Sequence, residues 1–270
     1  METLRSSQAS ASPVQVVLFD FDGTISTLRT GWEEVMRTVM FRYLSHGQAP
    51  SPALHAEIDA YIEESTGIQT IYQMKWLAEK AHALRPDAPA DPWFYKEEYN
   101  RELMKTVALR REKAAASREG REAFLIAGAE AFLQALRAKG VRLMVASGTD
   151  HPDVQREAAA LGLDGYFQGI FGAPVGQESC SKEKIIRQLL EEEKLSGDAL
   201  AVIGDGKVEI QLGRAVGART VGMATDEQAR RGVNPAKRAR LIRAGADVIC
   251  GDFTESAALL RFLGLATNER

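Results

Sequence analysis

Five short apolar runs, separated by stretches with helical spacing, limit what this chain can fold into. Within each run nearly every residue is apolar, which is typical of parallel strands that are covered on both faces. Helical patterns occur at 128–140, 153–162 and 182–194, and Gly140 and Gly162 suit helix ends. Strands that alternate with helices predict an α/β protein with an open parallel sheet. The predicted strands are VQVVLFD (14–20), VRLMVAS (141–147), ALAVIGD (199–205), ARTVGMA (218–224) and ADVICGD (246–252).

One segment, from about Leu28 to Glu122, shows no pattern of a buried strand. It contains four stretches with helical spacing, and the prolines of RPDAPADP (85–92) forbid a continuous helix there. We interpret the segment as an all-helical insertion between the first and second strands, with ASREGRE (116–122) as its return linker. The predicted organisation is a flexible tail at 1–13, a helical domain at 28–122, and a sheet domain made of 14–27 and 123–270.

The composition excludes several classes of protein. The 34 basic and 37 acidic residues give a formal charge of −3, which gives no reason to expect nucleic-acid binding. No apolar run approaches the roughly 20 residues that span a membrane, and the N-terminus lacks the apolar core of a signal peptide.

Cys180 and Cys250 have no zinc or disulfide spacing, which favours a reducing, cytoplasmic setting. His46, His55, His82 and His151 show no metal-ligand spacing, and the oligomeric state is not readable.

Polar residues follow three of the predicted strands, at the edge where open parallel sheets bind ligands. In a parallel arrangement these groups converge, and clustered carboxylates need a counter-ion. A hard divalent cation with oxygen ligands, such as Mg²⁺, fits that need. The groups are Asp20-Phe21-Asp22-Gly23-Thr24, Ser147-Gly148-Thr149 and Gly204-Asp205-Gly206 with Glu209, and Ser181-Lys182 opens the helix before the third strand.

These residues, in this order, resemble the four motifs of the haloacid dehalogenase superfamily. The motif residues are Asp20-Phe21-Asp22-Gly23-Thr24, Ser147, Lys182, and Gly204-Asp205 with Glu209. Within the superfamily, the chain resembles the phosphoglycolate phosphatase-like group of Mg²⁺-dependent phosphatases. The resemblance covers the chain after the tail. It implies a Rossmann-like parallel sheet core with an all-helical cap domain inserted after the first strand, and hydrolysis of a small phosphorylated metabolite.

The resemblance assigns the chemistry to the first motif. Asp20 becomes the nucleophile that forms an aspartyl-phosphate. Asp22 becomes the general acid and base, and its main-chain carbonyl joins Asp20 and Asp205 as a metal ligand. Gly23 permits the sharp turn between the two acids, and Thr24 braces that turn by hydrogen bonding.

The other motifs supply phosphate and metal contacts. Ser147 and the amides of Gly148 and Thr149 would hold phosphoryl oxygens. Lys182 would neutralise the phosphoryl charge. Lys184 competes for that role, but two residues apart on a helix they cannot face the same way. Glu209, where the family more often has Asp, would bind the metal through water or orient a ligand.

In the helical segment, Thr66, Gln69 and Thr70 are candidates for selecting the leaving group, or they form an ordinary helix start. The segment must open and close over the site, and we expect its hinges at 26–30 and 117–122. A helix begins at Asn234-Pro235 within the basic stretch 229–247. We interpret the basic residues Arg231, Lys237, Arg238, Arg240 and Arg243 as its solvated face.

Other activities use the same fold. Dehalogenases of the family lack the second acid, so Asp22 argues against dehalogenation. A phosphonatase needs a lysine in the cap for an imine, and nothing singles out Lys75, Lys80 or Lys96 as buried. A sugar phosphomutase has no sequence marker here. A non-catalytic binding protein on this scaffold is expected to lose Asp20, Asp22 or Asp205, and all three are present.

Overall fold

The computed structural model describes residues 1–5, 12–45, 47, 49, 51–178, 181–192 and 194–265. Cys180 and His46 lie outside the described residues. Cys250 is a buried free thiol. Within the described part of the chain, no helix is both long and apolar enough to cross a membrane.

A mostly parallel sheet of seven strands forms the core, in the order β1-β7-β6-β5-β2-β3-β4, and confirms the predicted α/β class. Neighbouring strands are parallel except for β1, which pairs antiparallel with β7. The strands are β1 (Glu2–Thr3), β2 (Val16–Phe19), β3 (Arg142–Asp150), β4 (Gly169–Ala173), β5 (Leu200–Gly204), β6 (Arg219–Met223) and β7 (Val248–Cys250).

The pairing of β2 fixes where the polar strand ends meet. Phe19, the last residue of β2, lies opposite Val145 of β3 and Ile203 of β5. All four residues of β2 are buried, as expected of a central strand covered on both faces. The residues that follow β2 and β5 and the last residues of β3 therefore lie together at one edge of the sheet.

Three strand assignments differ from the sequence interpretation. β4 was not predicted, because GIFGA contains two glycines and lies half-buried at an edge. The prediction of a flexible tail at 1–13 is wrong for Glu2–Thr3, which pair with Ile249 and Val248 of β7. Glu2 also forms an ion pair with Arg238. β3 continues to Asp150, past the predicted end at Ser147, with a register shift between Ala146 and Asp150.

Helices cover both faces of the sheet. The predicted helical patterns correspond to α6 (Ala129–Ala138), α7 (His151–Ala160) and α8 (Ser181–Glu192). The chain also forms α9 (Lys207–Ala215), α10 (Pro235–Ala244) and α11 (Ser256–Phe262). α10 begins where predicted, because the Asn234 side chain accepts hydrogen bonds from the amides of Ala236 and Lys237.

The helical segment is built from α1 (Trp32–Leu44), α2 (Pro52–Glu64), α3 (Thr70–Leu84), α4 (Pro92–Ala116) and α5 (Arg118–Glu122). The helices α1 to α4 share a hydrophobic cluster of their own, separate from the clusters of the sheet. Met36, Met74 and Tyr95 are fully buried in that cluster. The segment is thus a second packed unit that emerges from the end of β2.

The two connections to the helical segment are ordered and lie against each other. The amide of Thr27 donates to the carbonyl of Phe124, and Ser26 forms a β-bridge with Leu125. The interpretation of 116–122 as a plain linker is wrong, because 118–122 is helical. The Ser117 side chain caps that helix by accepting from the amide of Gly120.

Candidate active site

A cavity of about 100 Å³ lies between the carboxyl edge of the sheet and the helical segment. The sheet supplies most of its charged groups, and the helical segment supplies neutral ones. Its lining residues are Asp20, Asp22, Gly23, Arg29, Trp32, Thr66, Gly67, Ile68, Thr70, Gln73, Tyr99, Ser147, Gly148, Thr149, Lys182, Asp205 and Glu227. Most of the residues that sequence analysis selected therefore converge on one cavity.

Asp20 follows β2 directly and lies beside Lys182 from α8. The Lys182 Nζ atom is 3.1 Å from Asp20 Oδ1 and 2.9 Å from Glu209 Oε2. Burial raises the pKa of Asp20 well above its usual range, and Lys182 opposes that shift. For Lys182, burial lowers the pKa, but Asp20 and Glu209 outweigh it, so the lysine is held as a cation. Lys184 is exposed, so Lys182 is the lysine at the site.

The turn after Asp20 is closed by the backbone. Gly23 has φ +73°, and its amide donates to the carbonyl of Ser26 at 2.9 Å. A side chain at this position would place its Cβ 2.3 Å from Asp205 Oδ2, so glycine is required for conformation and for space. The predicted brace by Thr24 is wrong, since its buried hydroxyl has no hydrogen-bond partner in the described structure. The turn amides already make the closing bonds.

Asp22 faces the cavity from the other side of this turn. Its Oδ2 accepts from the Thr149 hydroxyl at 2.8 Å and lies 3.9 Å from Arg29 Nε. Its Oδ1 is buried and has no partner among the described residues. Burial raises the pKa of Asp22, while Arg29 and Thr149 act in the opposite direction. A carboxyl group with a raised pKa is suited to carry a proton.

The end of β3 forms the floor beside these acids. Ser147 is buried, and its Oγ accepts from the amide of Thr149 at 3.1 Å. Gly148 lies against the helical segment, since a Cβ there would be 3.3 Å from the carbonyl oxygen of Ile68. The Thr149 side chain, which donates to Asp22, makes a contact that the sequence interpretation did not include.

Glu209 is buried behind Lys182. Its Oε1 accepts from the amide of Gly206 at 2.6 Å, and its Oε2 binds Lys182. Gly206 in turn lies against Gly67 of the helical segment, where a Cβ on Gly206 would come 3.1 Å from the Gly67 Cα. Glu209 thus orients both the lysine and the loop that follows β5.

Asp205, at the end of β5, is held by a lysine that sequence analysis placed on a solvated surface. That interpretation of Lys237 is wrong: its Nζ lies 2.7 Å from Asp205 Oδ2 and 2.5 Å from Glu227 Oε1. Burial lowers the pKa of Lys237, but the two carboxylates outweigh it and raise the pKa overall. α10 packs on α9 and β6, and this placement turns its first turn toward the end of β5.

The acidic residues fit a divalent cation. Carboxylate oxygens of Asp20, Asp205 and Glu209 lie within 4.8 Å of one another. Asp22 adds a buried oxygen without a protein partner. Hard oxygen donors of this kind are the usual ligands of Mg²⁺. Lys182 and Lys237 offset part of the negative charge.

The helical segment brings two of its three predicted residues to the cavity. Thr66 and Thr70 line it, whereas Gln69 lines a small adjoining cavity. Five residues with polar or aromatic side chains at the cavity were missed by sequence analysis: Arg29, Trp32, Gln73, Tyr99 and Glu227. Arg29 and Trp32 follow the first motif within ten residues, and that proximity is a signal that could have indicated them.

Lys96 is buried, contrary to the expectation that no lysine of the segment stands out. Its Nζ lies 2.5 Å from Asp150 Oδ1 and 5.0 Å from the centre of the Trp93 ring. Lys96 is not among the residues that line the cavity, and its amine is bound to a carboxylate. Its contacts are those of a bridge between α4 and the end of β3.

The chain belongs to the haloacid dehalogenase-like hydrolases, because the model of that family matches residues 14–217. A comparison with curated proteins gives no significant match. The family membership and the seven-stranded sheet agree with the resemblance that the motifs indicated.

Several solved structures share the fold. A predicted phosphatase from Clostridium acetobutylicum is 19% identical, with a TM-score of 0.60 over 93% of this chain and 100% of that chain. A predicted phosphoglycolate phosphatase from Haemophilus somnus is 16% identical, with a TM-score of 0.57 over 92% and 98%. A β-phosphoglucomutase from Clostridium difficile is 13% identical, with a TM-score of 0.64 over 93% and 97%. At these identities the likeness shows the fold alone.

Proposed function

We propose that this protein is a Mg²⁺-dependent phosphatase that hydrolyses a small phosphomonoester through an aspartyl-phosphate. The arrangement of Asp20 beside Lys182, with Asp22 across the same turn, carries the proposal. A cavity of about 100 Å³ is smaller than the roughly 300–1,000 Å³ of pockets for drug-sized ligands, which favours a small substrate. We also propose a cytoplasmic setting, which the free, buried thiol of Cys250 supports.

The two acids of the turn divide the chemistry. In the first step an Asp20 oxygen bonds to phosphorus, the bond from phosphorus to the leaving oxygen breaks, and Asp22 gives its proton to that oxygen. In the second step Asp22 takes a proton from water, whose oxygen attacks phosphorus and releases phosphate and Asp20. Burial of Asp22, which raises its pKa, supports the donor role.

The remaining residues bind the phosphoryl group and the cation. Ser147 and the Gly148 amide would hold phosphoryl oxygens, and Lys182 would neutralise part of their charge. Asp20, Asp205 and the main-chain carbonyl of Asp22 would hold Mg²⁺. When bound, the ion supplies positive charge that reduces the repulsion between Asp20 and the phosphoryl oxygens.

The helical segment would act as the cap. Its loop at 66–70 lies on the end of β3 and on the residues after β5, where it limits the access of water during the first step. Opening about the connections at 26–30 and 117–122 would admit the substrate.

The test compares wild type with Asp20→Asn on a panel of small phosphomonoesters, with Mg²⁺ and with EDTA. We expect phosphate release that requires Mg²⁺ and that falls at least about a thousandfold in the variant. Asp164→Asn is the matched control, because Asp164 is an exposed aspartate that does not line the cavity. Activity that survives in Asp20→Asn contradicts the nucleophile assignment.

The other activities of this fold give different results in the same assay. A phosphomutase would consume a sugar phosphate without releasing phosphate. A phosphonatase would leave the esters intact and act on a phosphonate, and a binding protein would bind esters without turnover. The pairing of Lys96 with Asp150 gives no support to an imine-forming lysine in the cavity.

A further inference from the structure

Both cations that line the cavity are already paired with carboxylates. Lys182 lies between Asp20 and Glu209. Arg29 is held by the buried Glu157, whose Oε1 is 2.7 Å from Nη2 and whose two oxygens are 3.1 Å from Nε. Among the described lining residues, no other lysine or arginine is present. The cavity therefore offers the part of a substrate beyond its phosphate no uncommitted positive charge.

The wall opposite the sheet is polar but neutral. Thr66, Thr70, Gln73 and Trp32 line it, together with Tyr99. Burial raises the pKa of Tyr99, so its hydroxyl remains a neutral hydrogen-bonding group. Glu227 also lines the cavity, but its carboxylate is paired with Lys237, so it adds no free charge there.

Gln69 adds an unsatisfied amide next to this wall. Its side chain is 5% exposed, and neither Nε2 nor Oε1 has a hydrogen-bond partner among the described residues. It precedes α3 but makes no side-chain cap. It lines a second small cavity that shares Gly67, Ile68, Gly148 and Lys182 with the first. A buried amide without partners is costly, and a ligand hydroxyl can both donate to it and accept from it.

We infer that the leaving group is uncharged and carries hydroxyl groups, as in a small polyol or sugar monophosphate, and that Gln69 selects it. This inference rests on the proposed phosphatase function. A carboxylate or a second phosphate on the leaving group would lose its hydration without gaining a free cation. Hydroxyl groups would instead pair with Gln69 and with the threonine hydroxyls of the same wall.

The experiment uses matched pairs of esters that differ in one group. One pair is 2-hydroxyethyl phosphate and phosphoglycolate, and the other is glycerol 3-phosphate and 3-phosphoglycerate, both with saturating Mg²⁺. We expect kcat/KM to favour the hydroxyl ester of each pair by at least about tenfold. Equal or greater kcat/KM for the carboxylate esters overturns this inference but leaves the phosphatase function intact. No release from any ester, methyl phosphate included, overturns the proposed function itself.

Two variants test the assigned role of Gln69. Gln69→Met keeps the length of the side chain but removes the amide. It should lower kcat/KM for 2-hydroxyethyl phosphate about tenfold and leave methyl phosphate, whose leaving group has no second hydroxyl, unchanged. An equal loss on both esters would assign Gln69 a structural role and overturn the inference. Thr70→Lys adds a free cation to the same wall and should shift the preference toward phosphoglycolate, and no shift argues against charge as the basis of selection.

Discussion

The two walls of the cavity differ in the kind of group that they present. The edge of the sheet holds three buried acids, Asp20, Asp205 and Glu209, in contacts of 2.7–3.1 Å with two lysines. The helical segment presents threonines, glutamine and aromatic rings and has its own hydrophobic cluster. The comparison suggests that the reaction depends on the sheet and that the choice of substrate depends on the helical segment.

The largest effect is expected at the turn between the two acids. Gly23→Ala would force a Cβ into the space of Asp205 Oδ2, in a backbone conformation that costs alanine about 1–2 kcal/mol. We expect kcat/KM to fall by roughly 100-fold or more, or about 2.7 kcal/mol. Steady-state kinetics measure the loss of activity, and thermal unfolding measures the loss of stability.

Gly140→Ala is the control for this variant. Gly140 has φ +74°, nearly the same as Gly23, but no atom lies within 4 Å of the position that its Cβ would occupy. It should lose similar stability and keep its activity. An equal loss of activity in both variants would show that strain, and not contact with Asp205, is responsible.

The next effect concerns the lysine that holds Asp205. Lys237→Met leaves Asp205 and Glu227 without their shared cation, and removing one partner of a buried ion pair typically costs roughly 3–5 kcal/mol. We expect a lower unfolding temperature in EDTA. Because the freed carboxylates attract a divalent cation more strongly, added Mg²⁺ should stabilise the variant more than the wild type.

Arg243→Met tests whether that effect belongs to the ion pair. Arg243 lies on the same helix but is exposed. Its substitution should change neither the unfolding temperature in EDTA nor the response to Mg²⁺. If Mg²⁺ stabilises Lys237→Met less than the wild type, then Lys237 does not compete with the cation for Asp205.

A smaller effect is expected in the pH dependence. Protonated Asp22 is needed for the first step, so kcat/KM should fall as pH rises through its pKa. The hydrogen bond from Thr149 lowers that pKa, and Thr149→Val removes it. The alkaline limb of the pH profile should therefore move to higher pH, with kcat at the optimum within about tenfold of wild type. A limb that moves to lower pH would contradict the role of Asp22 as proton donor.

The smallest effect is a difference in the rate of amide hydrogen exchange between the two connections and the central strands. The connections at 26–30 and 117–122 should exchange amide hydrogens faster than β2 and β5, if the helical segment opens about them. The Thr27 amide, which donates to Phe124, is the sensitive reporter. Exchange as slow as that of the central strands would argue against hinges at these positions.

The sequence was sufficient to predict the edge of the sheet and insufficient for much that surrounds it. Asp20, Ser147 and Asp205 follow long apolar runs, so pattern and chain order place them together. Lys237 lies in a basic helix whose pattern resembles a solvated face. Its burial depends on how α10 packs over the end of β5, which local pattern does not encode. β4 was missed for the opposite reason, because a glycine-rich edge strand carries little apolar signal.

The contact between Gly67 and Gly206 has a consequence for how the sequence of this enzyme can change during evolution. At this contact backbone lies against backbone, so no side chain there must be rebuilt when either surface mutates, whereas elsewhere the two units are joined by side chains such as Lys96 and Asp150. New threonines, glutamines or cations could accumulate on the helical side without disturbing the fit. A side chain at either glycine would act as a spacer and hold the two surfaces apart by its own width. The contact between the two glycines thus limits substitution at these two positions, while the residues of the wall beside it are free to vary.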